Sequence, residues 1–350
     1  MNRTIYSVML IALFLFAMPA HSMAGTFPPL PEAVAAMASD SAVTVTKVEI
    51  AAWSLTPDWG SDNYTYVFEP VGKSPETGFI FYPGAFVDVR AYAPYLREFA
   101  KAGYLAIVVK MPNDTAFASM DRAKEVIANY PAIKKWVISG HSMGGIAASA
   151  FIRDNIDKKF TNKMAGVVLW AAYGDPTAFC NIADATVKGL VIHGSNDGLS
   201  TPAKVEAGKP YLPQGTTYVE IQGGNHTQFG WYDTSPDPVQ PGDNAADITR
   251  AEQQQQIVAA TLDFLNTIAK EGCPVITALG ESDPGVTTAR MFRDSVLSKS
   301  AAGRTLIDMY YKNSADMAAL LEGNPVLKQS VRSVLQSLLP LLQIMLPTGA

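Results

Sequence analysis

"VISGHSMGGIAASAFI", residues 137 to 152, runs from an apolar stretch through two glycines that flank a serine and on into small residues suited to a helix. Its centre, Gly140-His141-Ser142-Met143-Gly144, is a G-x-S-x-G set between a predicted strand and a predicted helix. In such a sharp turn the serine adopts a strained backbone, and the flanking positions must be nearly free of side chain to avoid the neighbouring strand and helix. Gly140, Gly144 and Gly145 supply that room. Ser142 therefore reads as a presented nucleophile rather than an incidental serine in a Gly-rich turn.

The surrounding chain alternates β-like and helix-like segments. Residues 43 to 53 and 64 to 70 read as strands, as does the buried apolar run "GFIFYPG" (78 to 84). "DVRAYAPYLREFAKAG" (88 to 103) opens on a capping Asp and closes on a stop Gly, so a helix is expected there. A strand at 104 to 112, a helix at 119 to 130 and the strand "IKKWVISG" lead into the opening stretch. Beyond it come the strands "AGVVLWAAY", "VKGLVIHG" and "TTYVEIQGG", a helix near Thr201 to Ala207, and a long helix from Asp247 to Lys270. Strands buried on both faces and alternating with helices imply an α/β fold, a mostly parallel central sheet with helices above and below. Ligands then sit at the C-terminal ends of the strands.

With 350 residues there is room for one large domain and an appendage. A net charge of −5 gives no electrostatic reason to expect a nucleic-acid partner. Asn2-Arg3, the apolar stretch Ile5 to Ala20 and the small-x-small site Ser22-Met23-Ala24 read as an export signal over residues 1 to 24, with the mature chain beginning near Gly25. The apolar run is shorter than the ~20 residues that span a bilayer. The expected localisation is periplasmic or secreted. In such a compartment Cys180 and Cys273 could be paired or free, since pairing depends on their separation in the fold. Residues 25 to 271 form the expected catalytic domain, and 272 to 350 a small helical appendage after a linker.

A serine hydroxyl needs a base within reach, itself held by an acid. The chain has four histidines. His21 departs with the signal, His141 adjoins the nucleophile and is expected to point away into packing or a surface hydrogen bond, and His193 closes an apolar strand. His226, in the loop "IQGGNHTQFGWY" after the last strand, remains as the base. Asp197 in "VIHGSNDGLSTP" is the expected acid, although Asn-Asp-Gly also suits a turn or cap; Asp175 is the reserve. The oxyanion donors are expected to be the backbone N–H groups of Met143 and, after the Pro83-Gly84 turn, of Ala85, with Phe86 next in line. Phe86, Phe179, Phe229 and Trp231 lie in loops near these motifs and read as substrate-binding or as core. No metal cluster or phosphate loop is seen, so no cofactor is needed.

Four ordered motifs, "FYPGAFVDVRAYAPYLREFAKAGYLAIVVKMP", "GHSMGG", "HGSNDGLSTP" and "GGNHTQFG", together resemble the α/β-hydrolase fold-5 group, relatives of dienelactone hydrolases and small serine esterases, over residues 45 to 270. The resemblance implies that fold and a triad of Ser142, Asp197 and His226, in that family's chain order. Dienelactone hydrolases proper carry Cys where Ser142 stands, which sets that lactone aside as substrate. From Cys273 the tail resembles the CFI-box C-terminal domain, its box reading Cys273-Pro274-Val275-Ile276. The tail's last stretch, Val331 to Leu346, reads as a packed helix or as a membrane-surface or partner contact. The expected activity is cleavage of small-molecule or polymeric carboxylic esters. Lactonase, thioesterase, peptidase or acyltransferase chemistry would use the same site, and a non-catalytic binding protein is the alternative from another class.

Overall fold

The computed structural model describes residues 27–50, 63–155, 163–270, 273–280 and 282–346. The export signal, the mature start at Gly25, residues 51–53 of the first expected strand and the 271/272 boundary lie outside them. Eight strands form one sheet: β1 Val43–Glu49, β2 Tyr64–Pro70, β3 Thr77–Tyr82, β4 Leu105–Val109, β5 Lys135–His141, β6 Met164–Trp170, β7 Lys188–Gly194 and β8 Thr217–Ile221. Their order is β1-β2-β4-β3-β5-β6-β7-β8. β1 pairs antiparallel with β2, and β2 with β4; all other neighbours are parallel. β3 to β7 are the largely continuous apolar runs, buried on both faces, whereas β1 and β8 at the sheet's edges are mostly exposed or half-buried.

In the first compact unit, residues 75–265 with the segment before 72, the helices are α1 Pro31–Ala35, α2 Ala93–Ala102, α3 Ala123–Asn129, α4 Met143–Asn155, α5 Pro202–Gly208 and α6 Arg250–Lys270, the last continuing beyond the unit. Successive strand residues face opposite layers. Ile80, Ile138, Val167 and Leu169 share one core with Ala147, Ala148 and Phe151 of α4. On the other face Phe79 meets Phe99 of α2 at 4.9 Å between ring centroids, and Trp170 meets Phe81 at 4.7 Å and Tyr95 at 5.0 Å. Each buried aromatic of this kind contributes roughly 2 to 3 kcal/mol over its exposed state.

Asp88 accepts the N–H of Arg90 (2.9 Å) and opens a 3-10 turn, Val89–Tyr92, that runs into α2; Gly103, at φ 109°, closes that helix. Thr201 caps α5 by accepting from Lys204 N–H. The helix expected from residue 119 begins only at Ala123. Three 3-10 turns precede it, because the buried Tyr82 hydroxyl donates to Met120 C=O (2.6 Å) and accepts from Ala123 N–H (2.9 Å), holding the chain off a continuous helix. Both cysteines are free thiols. Cys180 is buried with its sulfur 3.0 Å from the Thr177 hydroxyl, and burial pushes its pKa up to about 12.

The second unit comprises residues 72–74 and those from Asn266 onward. Its helices are α7 Pro274–Leu279, α8 Pro284–Ser295, α9 Ala301–Gly323 and α10 Pro325–Ile344. Asp283, Ser300 and Asn324 cap the last three by accepting from Gly285, Gly303 and Leu327 N–H. α7 packs on α9 and α10, and α8 on α10, around a small core that includes Leu279, Val286 and Leu321. Val334, Leu338, Leu341 and Ile344 of α10 stay exposed. Among the described residues no helix is long and apolar enough to cross a membrane.

Candidate active site

Among the described residues five non-glycine positions have positive φ: Phe86 (60°), Asn113 (51°), Asp114 (52°), Ser142 (53°) and Ala171 (45°). They follow β3, β4, β5 and β6, so every strained position found sits just past the C-terminal end of a parallel strand. Such backbone costs about 1 to 2 kcal/mol per residue and persists where surrounding contacts impose it.

Ser142 is the residue between β5 and α4. Its N–H donates to Trp170 C=O (2.9 Å), and its C=O accepts from Gly145 N–H (2.9 Å), so neighbouring strand and helix lock the turn. The space around it is closed to side chains. A Cβ on Gly140 would lie 2.2 Å from the Gly144 carbonyl carbon, and one on Gly144 2.1 Å from Tyr82 O and 2.4 Å from Pro83 O. These are backbone atoms and cannot swing aside. Gly144→Ala is expected to cost about 3 kcal/mol and lower Tm by roughly 10 °C, measured by thermal melting.

The base candidate is completely buried. His226 Nδ1 lies 2.9 Å and 3.1 Å from the two carboxylate oxygens of Asp197, itself 2 % exposed. Asp197 Oδ1 also accepts from Leu199 N–H (2.9 Å) and Ser200 N–H (2.6 Å), so one side chain both caps its turn and contacts His226. With Nδ1 donating to the carboxylate, His226 Nε2 carries the lone pair. That nitrogen is buried and has no hydrogen-bond partner among the described residues. It makes no hydrogen bond to Ser142 in this state; such bonds are often formed only when substrate closes the site. Asp175 instead binds the N–H and hydroxyl of Thr177 in its own turn.

Of the two expectations for His141, packing or a surface hydrogen bond, the structure shows packing, beside the base candidate. Its ring is buried, its centroid 4.7 Å from that of His226 and stacked on Phe229 at 5.9 Å, and its Nδ1 lies 2.9 Å from the Tyr92 hydroxyl. Tyr92 accepts from Gly84 N–H (2.9 Å), so its hydroxyl bridges that turn and His141 Nδ1. Burial drives the His141 pKa well below its ordinary value, and the nearby His226 adds to this. Tyr92, which no sequence pattern singled out, thus ties the Pro83-Gly84 turn to the strand that presents Ser142. The unfolded chain takes up a proton at His141 below about 6.5 whereas the folded protein does not, so stability falls as pH drops through that value. Denaturant melts at pH 7 and pH 5 are expected to show this loss, and His141→Gln to reduce it.

The expected oxyanion donors differ in availability. Phe86 N–H is taken by Asp114 C=O (2.8 Å), whereas the N–H groups of Ala85 and Met143 have no partner among the described residues. Ala85 is buried, and the clash distances at Gly144 put the start of α4 directly against Tyr82 and Pro83. Of the aromatic candidates, Phe86 and Phe179 are half-buried, with Phe179 6.3 Å from Phe117. Phe229 is fully buried behind His141, and Trp231 donates from Nε1 to Gln254 (2.6 Å). His193 is buried at the end of β7, 3.9 Å from Glu220. A surface cavity of about 350 Å³ beside Thr216 and Tyr218 lies toward the start of β8, away from His226 beyond its far end.

The alpha/beta hydrolase family matches residues 78–255, half of the chain, from β3 through the first turns of α6. This chain is a member of the alpha/beta hydrolase family. Among curated proteins none matches the hydrolase. Solved structures similar to it include a chain described as a CIB-like hydrolase from Thermoplasma acidophilum, 14 % identical, covering 64 % of this chain and 99 % of its own, with a TM-score of 0.47. A thermophilic esterase from Thermogutta terrifontis is 16 % identical, with coverages of 64 % and 99 % and a TM-score of 0.42. A dienelactone hydrolase-like protein from Klebsiella pneumoniae is 13 % identical, with coverages of 63 % and 99 % and a TM-score of 0.43.

Proposed function

We propose that this hydrolase cleaves carboxylic esters by a serine acyl-enzyme mechanism, with Ser142 as nucleophile, His226 as base and Asp197 as orienting acid. The observation that carries the reading is the buried His226, clasped by Asp197 at Nδ1 and unpartnered at Nε2. Nε2 takes the Ser142 proton as Oγ attacks the ester carbonyl. Asp197 stabilises the imidazolium that results. The free N–H groups of Ala85 and Met143 receive the negative charge on the carbonyl oxygen, each lowering the barrier by about 3 kcal/mol. The imidazolium then protonates the leaving alcohol, and water, deprotonated by His226, releases the acid from Ser142.

The half-buried Phe86 and Phe179 support an apolar acyl group, and Phe229 and Trp231 sit further back. Export under the signal at residues 1–24, a CFI-box character for the tail and contact of the exposed apolar α10 face with a membrane surface or partner belong to the same reading of the chain. The function is tested by treating purified protein with a fluorophosphonate and mapping the labelled peptide. The expected label is on Ser142, together with turnover of p-nitrophenyl esters; a folded protein that takes no label is a binding protein with the hydrolase fold.

A further inference from the structure

We propose that Asp243 is a positioning residue of this site: its one carboxylate holds the loop bearing Asp197 and the loop bearing His226 in register. The inference rests on the serine-hydrolase reading above. Asp243 lies in "QPGDNAAD", residues 240 to 247, between β8 and α6, a stretch that reads as an ordinary turn.

Oδ1 of Asp243 accepts from Gly198 N–H (3.0 Å) and from the N–H of His226 itself (3.2 Å). Oδ2 accepts from Thr227 N–H (2.8 Å) and from the Thr227 hydroxyl (2.6 Å). Gly198 directly follows Asp197, so this carboxylate is one residue from the acid on one side and bonded to the base's own backbone on the other. The loops are pressed together there, since a Cβ on Gly198 would sit 2.5 Å from Gly242 O and 3.0 Å from Asp243 Cα. Thr227 is buried and fully used, its hydroxyl donating to Asp243 while accepting Gln240 N–H (2.9 Å).

Asp197 and His226 lie in loops after different strands, β7 and β8, and their side chains meet through His226 Nδ1, 2.9 Å and 3.1 Å from the carboxylate oxygens. A hydrogen bond of this length weakens steeply with displacement, and a misplacement of about 1 Å in a catalytic group can cost on the order of 100-fold in rate. Four bonds to one carboxylate fix that displacement without touching substrate. Asp243 also puts a negative charge near His226. The other charged or titratable groups around this pair are Asp197, His141, Tyr232 and Arg250, whose guanidinium donates to Thr227 C=O.

The test compares the full chain with Asp243→Ala, Asp243→Asn and Thr227→Val in p-nitrophenyl ester kinetics across pH, with fluorophosphonate labelling and thermal melting alongside. Asp243→Ala is expected to lose about 100-fold in kcat with KM within about twofold, the pattern of an interaction made in the transition state. Asp243→Asn keeps an oxygen for two of the donors and is expected to lose about tenfold, as is Thr227→Val. A purely structural role would lower Tm and leave kcat of the folded variants unchanged. Folded variants with wild-type kcat, or with raised KM and unchanged kcat, overturn the proposal. Should Asp243→Ala not fold, the other two variants decide by the same criteria. A wild type that is itself unlabelled by the fluorophosphonate instead removes the serine-hydrolase reading, and this proposal with it.

Discussion

Ser142→Ala is expected to lose about six orders of magnitude in kcat on p-nitrophenyl esters and all fluorophosphonate labelling, while melting close to the wild type. The loss is large because no other nucleophile beside His226 is found among the described residues. The unpartnered Nε2 of His226 then has no hydroxyl on the elbow to take a proton from, and the other imidazole beside it among the described residues, His141, already binds the Tyr92 hydroxyl. Residual turnover over water would come from the Ala85 and Met143 donors and from binding. Stability is nearly unchanged for a backbone reason. The φ of 53° strains any residue bearing a Cβ, and alanine bears the same Cβ as serine. The bonds that lock the turn, to Trp170 C=O and from Gly145 N–H, are made by the main chain and survive the substitution. Label retained in Ser142→Ala would sink the nucleophile assignment.

The second large effect is expected for Asp197→Asn, a fall of about 10⁴ in kcat near neutral pH. An asparagine oxygen can still accept the N–H groups of Leu199 and Ser200, so the turn after β7 keeps its caps. Its amide nitrogen, however, meets His226 Nδ1 with a donor where a carboxylate stood. The imidazole is then held with Nδ1 accepting and its proton on Nε2, the wrong tautomer for a base. Tm should change little, which separates this variant from Asp197→Ala, where the two N–H groups lose their acceptor as well and about 1 to 2 kcal/mol of stability is lost. Activity of the Asp197→Asn variant within tenfold of the wild type would show that Asp197 serves the turn alone.

Much of the hydrolase was legible because its signals are local. The glycines at 140, 144 and 145 declare a turn that excludes side chains, and the clash distances give the reason. Continuous apolar runs announced the parallel strands, and Asp88 with Gly103 marked the limits of one helical stretch. Other features depend on partners far along the chain. The delayed start of α3 follows from Tyr82, 41 residues away, and the antiparallel pairing of β2 with β4 follows from sheet order. His141 was expected to go into packing or a surface hydrogen bond; that it packs, and against Tyr92 and Phe229, was set by residues of other elements.

The same division runs through the candidate site. Composition and spacing by themselves determined the residue types: a serine in a glycine frame, one late histidine in a loop, and an aspartate between them in the chain, since these are properties of a segment and its immediate neighbours. Only the tertiary structure decided that Asp197 both caps its turn and clasps His226, that Ala85 rather than Phe86 has a free N–H, and that Asp243 joins the two loops. The cap is local, but the clasp on His226, the Phe86–Asp114 bond and the Asp243 bridge join residues 16 to 45 positions apart, brought together because the parallel sheet carries its strand ends to one edge.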